Sequence, residues 1–453
     1  MNVVNQSVLV VGLAKSGVAV AKLLRQLGAH VIVNDQSPLL NVESEVHELE
    51  SLGIEVITGS HPLELVDRCD FMVKNPGIPY DRPIIVRAIE RGIPIFTEVE
   101  VASQVTQASI VGITGSNGKT TTTTLIGEIL RATHLDVTVA GNIGTALSTV
   151  ALSTRKGQTL VLELSSFQLL GTVSFHPHIA ALLNMYPAHL DYHGTMKEYM
   201  NAKSKIFTNQ NSDDIAIINA DQSVCAELGK TLKSQVWWVS LEKKVTPGAY
   251  VGNGWITLSP PGHSIGPIPI IPVESLALRG RHNLQNALFA SLVAFAAGAS
   301  PEAIRATLSS FAGVEHRMEF VREVAGVKYI NDSKATNPQA ALQAIESFTE
   351  PLIGILGGLD RGDDLSPLLS AVGRHMKAVV VIGQSAQRMA DMAKNAGITC
   401  VLEAETIKQA VELARAHART GDVVLLSPAA ASWDMFQSFE ERGRIFKEAV
   451  HML

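Results

Sequence analysis

Residues 112–121, GITGSNGKTT, carry residue types that could hold phosphate groups. The usual phosphate loop places a glycine five residues before its final Gly-Lys-Ser/Thr, and Ile113 occupies that position here. Gly115 and Gly118 nevertheless permit tight backbone turns, and the apolar run before them predicts a buried strand. If a helix starts at Lys119, stacked backbone N–H groups and a helix N-terminus would face a bound anion.

Lys119 and the hydroxyl groups after it could complete this phosphate site. The ammonium group of Lys119 is the point charge that β- and γ-phosphates need, and the hydroxyl of Thr120 or Thr121 can reach a magnesium ion. The alternative is that Gly-Lys-Thr opens an unrelated helix. A strand before the motif, a helix after it and two nearby glycines favour phosphate binding.

Glu163 interrupts an apolar strand, TLVLELSS, near its C-terminal end, and carboxylates seldom enter such runs without a partner. That end of a parallel strand is where α/β sheets hold their ligands. His189 follows the next strand, so we expect it at the same edge of the sheet. Taken singly, however, His189 is better explained as a structural loop histidine.

A helix that begins with Thr195-x-x-Glu198, a capping box, places one lysine among apolar side chains. At about 100° per residue, its apolar arc consists of Met196, Tyr199, Met200, Ala202, Ile206 and Phe207. Lys203 falls inside this arc, whereas Lys197 and Lys205 fall outside it. Since burial disfavours an ammonium group, we expect Lys203 to be paired, neutral or chemically altered. Snorkelling of its ammonium group along the apolar face is the simpler alternative.

Polar groups crowd the loop NDSKATNP in the last third of the chain. Asn337-Pro338 is typical of a helix start, but a capped helix does not explain the lysine and the aspartate beside it. Arg317 lies near the beginning of this region, in EHRMEF. The stretch SPAAASWDMFQSFEERG adds hydroxyl and aromatic groups after the last clear strand.

The N-terminal turn GLAKSG resembles a dinucleotide-binding turn, but Ala14 occupies the position of its middle glycine. A side chain there hinders close approach of a pyrophosphate, which weakens the prediction of a nicotinamide cofactor. Asp35 ends the second strand, where a carboxylate commonly meets a ribose hydroxyl. Another nucleotide ligand and a simple tight turn with a surface aspartate both remain open.

The composition is that of an ordinary globular protein with sizeable cores. The chain has 453 residues, of which 46% are hydrophobic and 18% charged, with a net charge of −6. This charge argues against broad nucleic-acid affinity and favours a pocket with a few local positive groups. The cysteines, Cys69, Cys225 and Cys400, are too dispersed for a disulfide framework or a zinc cluster, so we expect the reducing cytoplasm. We expect neither a membrane span nor a signal peptide.

Alternating strand and helix patterns predict an α/β protein with three doubly wound domains. The first alternation runs from residue 7 to about 100, the second opens at 109, and the third begins near 313. A Gly/Pro-rich, β-leaning stretch covers residues 246–280. We place the domains at residues 1–97, 98–312 and 313–453.

The chain resembles the Mur ligase family along essentially its whole length. The resemblance rests on motifs that occur in the family's order: GLAKSG, NPGIP, GITGSNGKTT, GNIG, ELSSFQL, AHLDYHG, NAKSKIF, RHNLQNA, EHRMEF, NDSKATNP, LGGLDRGDD and LSPAAASWDMF. The family's phosphate loop has the glycine spacing seen here. The resemblance implies a Rossmann-like N-terminal domain, a central domain like P-loop ATPases and a Rossmann-like C-terminal domain.

The resemblance also implies a set of ligand contacts. The first domain would bind the UDP part of a substrate, and contacts to that substrate would come from Lys15, Ser16, Asp35, Gln36, Gly77 and, in the central domain, Asn142. ATP would be bound by Gly115, Ser116, Asn117, Gly118, Lys119, Thr120, Thr121, Asn283, Asn286, Arg317 and Asp332, the last two completing the ATP site from the C-terminal domain. Magnesium would be organised by Thr120, Glu163, His189 and a carbamylated Lys203.

The C-terminal domain would place D-glutamate through Thr336, Arg361, Ser432 and Phe439, with Lys334 close to the reacting groups. Family members often have a lysine in the loop where Arg361 aligns, and that loop differs in length. The implied catalytic residues are Lys119, Glu163, His189, Lys203 and Lys334.

By the same resemblance, the ATP γ-phosphate would pass to the alanyl carboxylate of UDP-N-acetylmuramoyl-L-alanine. The amine of D-glutamate would then attack the acyl phosphate, and ADP, phosphate and an amide would leave. We expect a cytoplasmic monomer that makes peptidoglycan precursors and binds neither nucleic acid nor membrane.

Other functions remain open from the sequence. A Mur ligase that adds another amino acid is the nearest, and assays with L-alanine, D-glutamate and a diamino acid separate the two. A nicotinamide-dependent oxidoreductase rests on GLAKSG alone. A nucleotide-binding switch or scaffold would hold or hydrolyse ATP without forming an amide.

Overall fold

A computed structural model describes residues 3–39, 42–262, 266–278, 280–311, 313–360 and 362–453. The chain divides into two compact units, Met1–Phe311 and Ala312–Leu453. Within the described residues, strands form two sheets in the first unit and one in the second. Each unit is an α/β structure in which helices cover the sheets.

The first sheet is parallel throughout, in the order β3-β2-β1-β4-β5. Its strands are β1 (Ser7–Val11), β2 (His30–Asp35), β3 (Glu55–Thr58), β4 (Phe71–Lys74) and β5 (Ile95–Phe96). The accompanying helices are α1 (Lys15–Gln26), α2 (Glu43–Ser51), α3 (Pro83–Glu90) and α4 (Glu98–Ser103). The strand order reverses between β1 and β4, and in such sheets ligands bind outside the carboxyl ends of the strands at this point.

The second sheet has the order β14-β13-β12-β11-β10-β9-β6-β8-β7. Its strands are β6 (Ser109–Thr114), β7 (Val137–Gly141), β8 (Thr159–Glu163), β9 (Ile179–Leu182), β10 (Ile215–Asn219), β11 (Gln235–Ser240), β12 (Gly248–Gly252), β13 (Trp255–Ser259) and β14 (Ile268–Pro272). Its helices are α5 (Lys119–Ala132), α6 (Leu147–Val150), α7 (Ser166–Leu170), α8 (Leu190–His193), α9 (Met196–Ser204), α10 (Ser223–Gly229), α11 (Arg281–Ala296) and α12 (Pro301–Ser310). The pairs β12–β13 and β13–β14 are antiparallel, and the other pairs are parallel.

The sheet of the second unit has the order β15-β16-β20-β17-β18-β19. Its strands are β15 (Glu319–Val324), β16 (Val327–Asn331), β17 (Leu352–Leu356), β18 (Met376–Ile382), β19 (Val401–Ala404) and β20 (Val423–Leu426). Its helices are α13 (Pro338–Glu346), α14 (Ser366–His375), α15 (Ala386–Asn395), α16 (Ile407–His417) and α17 (Phe439–His451). Only the edge pair β15–β16 is antiparallel among the pairs of this sheet that the structure describes.

The predicted α/β class is confirmed, and parallel pairing dominates the sheets. One apolar cluster includes side chains of the first sheet, such as Val10, and of the second, such as Leu162. This shared core explains why the first two sheets form one compact unit. The proposed boundary after residue 97 falls between β5 and α4, and the domain limits stay a prediction.

Local helix signals in the sequence are confirmed. Thr195 and Glu198 form the predicted capping box at the start of α9, and Asn337 caps α13 with Pro338 in its first turn.

In the described part of the chain, no helix combines the length and the apolar character needed to cross a membrane.

Candidate active site

The phosphate-loop candidate joins β6 to α5, and α5 begins at Lys119 as predicted. Gly115 and Gly118 have φ angles of +154° and +80°, which side chains disfavour. A Cβ added to Gly118 would lie 2.2 Å from Oδ1 of Asn286, so a glycine is also needed for the close approach of α11. The glycine spacing of this loop therefore follows from its geometry, although Ile113 replaces the usual first glycine.

Side-chain contacts hold the loop in place. Asn184, directly beyond β9, accepts a hydrogen bond from the Asn117 N–H at 2.8 Å and donates to the Asn117 carbonyl at 3.1 Å. The hydroxyl of Ser116 contacts that of Tyr199 at 2.9 Å. Asn184 was not predicted from the sequence, although a polar residue after an apolar run was the available signal.

The side chain of Lys119 lies against its own loop, where Nζ donates hydrogen bonds to the carbonyls of Gly115 and Ser116 at 2.9 and 3.0 Å. Thr120 and Thr121 follow in the first turn of α5, and both are buried. The positive end of this helix and the lysine lie together, which is the arrangement that phosphate groups require.

Glu163 lies at the end of β8, next to β6 in the sheet, and is only 3% exposed. Its Oε1 accepts a hydrogen bond from Nδ2 of Asn142 at 3.0 Å. Its Oε2 is buried and has no hydrogen-bond partner among the described residues. A buried carboxylate oxygen without a partner is costly unless a ligand or a cation meets it.

Lys203 is 1% exposed, so the snorkelling alternative is wrong. Its Nζ donates to the carbonyl of Gly115 at 2.8 Å, the same oxygen that accepts a hydrogen bond from Lys119. Burial and repulsion from Lys119 hold the pKa of Lys203 well below its ordinary value, and attraction to Glu163 opposes them. The structure therefore brings Lys119, Glu163 and Lys203 together at the phosphate-loop candidate.

His189 precedes α8 with a φ angle of 55°, and its side chain is exposed. Its ring contacts that of Phe167 edge to face, with 4.9 Å between centroids. The histidine therefore belongs to an aromatic cluster beside the loop, which also includes Tyr192, His193 and Tyr199.

The predicted nucleotide contacts of α11 lie against the loop. Asn286 is buried beside Gly118 and donates to Oδ1 of Asn283 at 3.2 Å. Asn142, the residue of the central domain predicted to contact the UDP substrate, lies beside Glu163 through the hydrogen bond described above. The structure thus places Asn142 at the second sheet, whereas the other predicted UDP contacts belong to the first sheet.

The other residues predicted to contact UDP cluster at the carboxyl ends of β1, β2 and β4. Asp35 accepts hydrogen bonds from the N–H groups of Leu13 and Ser37, at 2.6 and 2.7 Å. Asn75 donates to the Ser16 hydroxyl at 3.3 Å and accepts from the Gly77 N–H at 3.2 Å. Sequence analysis missed Asn75, which links the turns that carry the predicted residues Lys15, Ser16 and Gly77.

The hydrogen bonds of Asp35 also affect its charge. Despite partial burial, which opposes the effect, backbone hydrogen bonds from Ser37 and Leu13 lower the pKa of Asp35. The group is therefore an anion that stabilises the first turn. Its neighbour Gln36 is exposed at the same edge.

In the second unit, Asp332 is buried where β16 ends. It accepts hydrogen bonds from the Ser427 hydroxyl at 3.0 Å and the Met318 N–H at 3.1 Å. Burial raises the pKa of Asp332 to about 7, although these bonds and the charge of Arg317 act in the opposite direction. The structure thus brings Asp332 and Arg317 into electrostatic contact.

The predicted D-glutamate residues gather around the loops after β16 and β20. Lys334 lies over the ring of Phe439, with Nζ 5.7 Å from its centroid. Thr336 follows in the same loop as Lys334, and Ser432 is buried in the loop after β20. Arg361 lies outside the described residues.

Arg442, on α17, joins these two loops and was missed by sequence analysis. It is fully buried and donates to the carbonyl of Ser333 at 2.8 Å, to its hydroxyl at 3.0 Å and to the carbonyl of Ala430 at 3.1 Å. Burial lowers the pKa of Arg442 to about 10, so the guanidinium group remains charged at neutral pH. The sequence offered a signal, the arginine in FEERG after the loop, but not its partners.

In the described part of the chain, no group of three or more His, Cys, Asp or Glu side chains could hold a metal ion. The unpartnered Oε2 of Glu163 nevertheless fits a cation. The ammonium groups of Lys119 and Lys203 would repel a cation at this oxygen. The residues around Glu163 therefore fit magnesium only if phosphate oxygens or a modified Lys203 offset that positive charge.

Comparison with known proteins gives matches along the chain. Residues 6–97 match the Mur ligase MurD-like N-terminal domain, residues 113–294 the Mur ligase middle domain, and residues 316–430 the Mur ligase glutamate ligase domain. A UDP-N-acetylmuramoylalanine–D-glutamate ligase of Geobacillus kaustophilus is 49% identical over 99% of this chain and 98% of its own length. A protein with the same name from Bacillus mycoides is 48% identical, with the same coverage of both chains.

Solved structures share the fold at low identity. The UDP-N-acetylmuramate–alanine ligase of Thermotoga maritima gives a TM-score of 0.58 at 19% identity, over 99% of this chain and all of the other. The MurF ligase of Thermotoga maritima in complex with ADP gives 0.55 at 17% identity, over 99% of this chain and 96% of the other.

Fold and site define an α/β protein with a candidate phosphate loop beside a buried carboxylate and a buried lysine. The near-complete coverage of relatives at almost half identity then fixes the family. The chain belongs to the Mur ligase family, as the sequence motifs predicted.

Proposed function

We propose that this chain is an ATP-dependent ligase that joins D-glutamate to UDP-N-acetylmuramoyl-L-alanine. The observation that carries the proposal is the identity of 46–49% to proteins named UDP-N-acetylmuramoylalanine–D-glutamate ligase, over nearly the full length of both chains. The match of residues 316–430 to a glutamate ligase domain supports the same acceptor.

ATP binds, in this proposal, with its phosphates on the loop from Gly115 to Thr121. The start of α5, the glycines and Lys119 supply N–H groups and positive charge, and Asn283 and Asn286 lie beside them on α11. Arg317 and Asp332 of the second unit remain predicted nucleotide contacts. Lys119 would leave its loop carbonyls to meet the phosphates, which are stronger acceptors because they are charged.

Magnesium fits this chemistry through Thr120, Glu163 and a modified Lys203. When bound, the ion supplies positive charge that stabilises the transferred phosphoryl group. His189 remains a predicted member of this set, although imidazole is a softer ligand than magnesium usually takes. The unpartnered oxygen of Glu163 supports its role.

Carbamylation of Lys203 would resolve a conflict of charges. The Lys203 ammonium group loses a proton, and the neutral amine adds to carbon dioxide and releases a second proton, so that a carbamate anion replaces a buried cation. That anion removes the repulsion between Lys203 and Lys119 at the Gly115 carbonyl. It also provides oxygen ligands beside Glu163, which magnesium prefers.

The two other substrates are assigned to separate regions. The UDP part lies at the carboxyl ends of β1, β2 and β4, near Lys15, Ser16, Asp35, Gln36 and Gly77. D-Glutamate binds the second unit at Thr336, Ser432 and Phe439, with Lys334 beside it, and Arg361 is a further predicted contact.

The reaction then has two steps. An oxygen of the alanyl carboxylate attacks the γ-phosphorus of ATP, which forms an acyl phosphate and releases ADP. The amine of D-glutamate attacks the acyl carbon, the tetrahedral intermediate expels phosphate, and an amide remains after proton loss. Lys119 neutralises charge on the phosphoryl group, and positioning supplies much of the remaining acceleration.

A panel of acceptors tests this proposal. The chain is incubated with ATP, magnesium and UDP-N-acetylmuramoyl-L-alanine, together with D-glutamate, L-alanine or a diamino acid, and the product masses are measured. We expect an amide with D-glutamate alone. An amide with another amino acid would identify a different ligase of the family, and ATP hydrolysis without any amide would indicate a nucleotide switch.

The product belongs to peptidoglycan precursor synthesis, so we propose that the enzyme acts in the cytoplasm. Its activity needs no second copy of the chain in this account, and a monomer remains our expectation. Gel filtration of the active protein measures the oligomeric state directly.

A further inference from the structure

Lys74 is a buried lysine that the reaction described above does not use. It ends β4, is 1% exposed and forms no ion pair with a carboxylate among the described residues. Its Nζ donates instead to the carbonyls of Asn75, Pro76 and Ile78, at 3.2, 3.3 and 2.8 Å. Since burial of an ammonium group is costly, this site is built around hydrogen bonds to one short loop.

That loop, residues 75–78, belongs to the region assigned to the UDP part of the substrate. Its Asn75 side chain binds the Ser16 hydroxyl, and its Gly77 N–H binds the Asn75 side chain. Lys74 therefore binds the carbonyl groups of a loop whose Asn75 side chain contacts the first turn of α1.

Tyr192 reaches the same loop from the second sheet. Its hydroxyl donates to the carbonyls of Pro76 and Ile78, at 3.2 and 3.0 Å, and accepts a hydrogen bond from Lys74 at 3.1 Å. Two carbonyls are thus shared by a lysine of β4 and a tyrosine of α8. Burial raises the pKa of Tyr192, which keeps its hydroxyl proton available for donation.

Tyr192 also connects this loop to the reacting end of the site. Its ring contacts that of Phe167 at 4.6 Å between centroids, and Phe167 contacts the ring of His189. A substrate bound through UDP at the first sheet must deliver its carboxylate to the phosphate loop of the second sheet. The distance between the two loops therefore decides whether the carboxylate reaches the γ-phosphate.

We propose that Lys74 and Tyr192 are positioning residues, which fix loop 75–78 for the UDP-bearing substrate and hold it at a set distance from the His189 segment. This inference rests on the proposed function. It adds two residues that act through the loop and do not touch the reacting atoms.

The test compares Tyr192→Phe, Lys74→Met and the double variant with the wild type. Tyr192→Phe keeps the ring contact with Phe167 and removes only the hydroxyl. Lys205→Met is the matched control, because Lys205 also donates to a backbone carbonyl, that of Leu170 at 2.7 Å, but lies away from loop 75–78. Michaelis constants for the three substrates and hydrogen exchange of the peptide covering the loop are measured.

We expect the KM for UDP-N-acetylmuramoyl-L-alanine to rise about tenfold in each single variant, as for loss of a hydrogen bond of ordinary strength. The KM values for ATP and D-glutamate should stay unchanged, and exchange in the loop should accelerate. Because both residues act on the same carbonyls, the double variant should lose less than the product of the single effects. Lys205→Met should leave all three KM values at the wild-type level.

Unchanged KM for the UDP substrate in Tyr192→Phe would overturn the inference, and so would equal rises in all three constants, which indicate general loss of structure. If the wild type forms no amide with D-glutamate, the proposed function fails instead. In that case, faster loop exchange together with weaker calorimetric binding of UDP in Tyr192→Phe would still support the positioning role of Lys74 and Tyr192, and unchanged binding would refute it.

Discussion

At the scale of single residues, the carbonyl oxygen of Gly115 accepts hydrogen bonds from two lysines, Lys119 and Lys203. Two ammonium groups cannot share one buried acceptor without repulsion, so one of them is expected to lose its charge. Lys203 is the more buried of the two, and burial lowers its pKa, so we expect Lys203 to be the one that loses its charge. A neutral amine is the chemical precondition for a carbamate.

We predict that Lys203 carries a carbamate in the active enzyme. Incubation with ¹³C-labelled bicarbonate at neutral pH should give a carbamate carbon resonance, which Lys203→Ala abolishes together with ligation. Lys197→Ala is the control, because Lys197 is exposed on the same helix. A fully active wild type without the resonance would contradict the prediction.

The charge of Lys74 gives a second prediction, on stability. Burial lowers the pKa of Lys74 to about 7 in the folded chain, against about 10.4 for an unfolded lysine. At pH values between these two, the unfolded chain binds more protons than the folded chain. The contribution of Lys74 to the free energy of unfolding therefore becomes more favourable as the pH rises through 7. The thermal midpoint of the wild type should therefore increase relative to that of Lys74→Met between pH 6 and pH 9.

Differential scanning calorimetry of both proteins measures this difference, and contributions of other titrating groups cancel in the comparison. The difference should be largest in favour of Lys74→Met at the acid end. A constant difference across the range would show that Lys74 does not change its protonation there.

Residues with local signals were predictable from the sequence, and residues with distant partners were not. The position of Lys203 in an apolar arc predicted its burial, and the motif around Lys119 predicted the loop and the helix start. Lys74 and Asn75 also bond to distant residues, in α8 and in the first turn of α1, and no local pattern in the sequence indicates those contacts. Such contacts depend on the packing of whole elements.

At the scale of elements, Arg442 shows how α17 organises two loops of the second unit. Its guanidinium group binds the Ser333 carbonyl and hydroxyl on one loop and the Ala430 carbonyl on the other. A planar group with several donors serves these acceptors together, whereas a lysine offers one point charge. The loops carry Lys334 and Ser432, so their relative position should determine the fit of D-glutamate.

We predict that Arg442→Lys raises the KM for D-glutamate about tenfold, as expected for loss of one or two hydrogen bonds to a charged group. The KM for the UDP substrate should not change. Arg444→Met is the control, since Arg444 is exposed on the same helix and pairs with Glu448. Initial rates measured as a function of each substrate concentration give the KM values of both variants. An unaltered KM for D-glutamate in Arg442→Lys would contradict the role of Arg442 in positioning the two loops.

The elements themselves were largely predictable, because alternating periodicity, glycine turns and helix caps are local properties. The three α/β series, the β-leaning stretch that forms β12 to β14 and the caps of α9 and α13 all follow from such signals. The shared core of the first two sheets could not be predicted, since it depends on which apolar faces meet. The placement of Asn142 beside Glu163 could not be predicted either, because it depends on which strands pair in the sheet.

At the scale of the whole molecule, the proposed function distributes the ligands over separate sheets. The loop with Lys119 belongs to the second sheet, and the predicted UDP contacts belong mainly to the first. Loss of the phosphate-binding charge should therefore affect chemistry and leave the binding of the UDP substrate intact.

We predict that Lys119→Ala lowers the rate of ligation about 100-fold or more, a loss typical of a missing charge-stabilising group. Calorimetry should give an affinity for the UDP substrate close to that of the wild type. A loss of affinity that parallels the loss of activity would contradict the division of ligands between the sheets.

The central claim, activation of a carboxylate by ATP followed by amide formation, is tested most directly with ¹⁸O. UDP-N-acetylmuramoyl-L-alanine labelled in both oxygens of its alanyl carboxylate is supplied with ATP and D-glutamate, and the released phosphate is analysed by mass spectrometry. The account predicts that each phosphate released with an amide carries one ¹⁸O and that the amide retains the other. Unlabelled phosphate released in step with amide formation would contradict it.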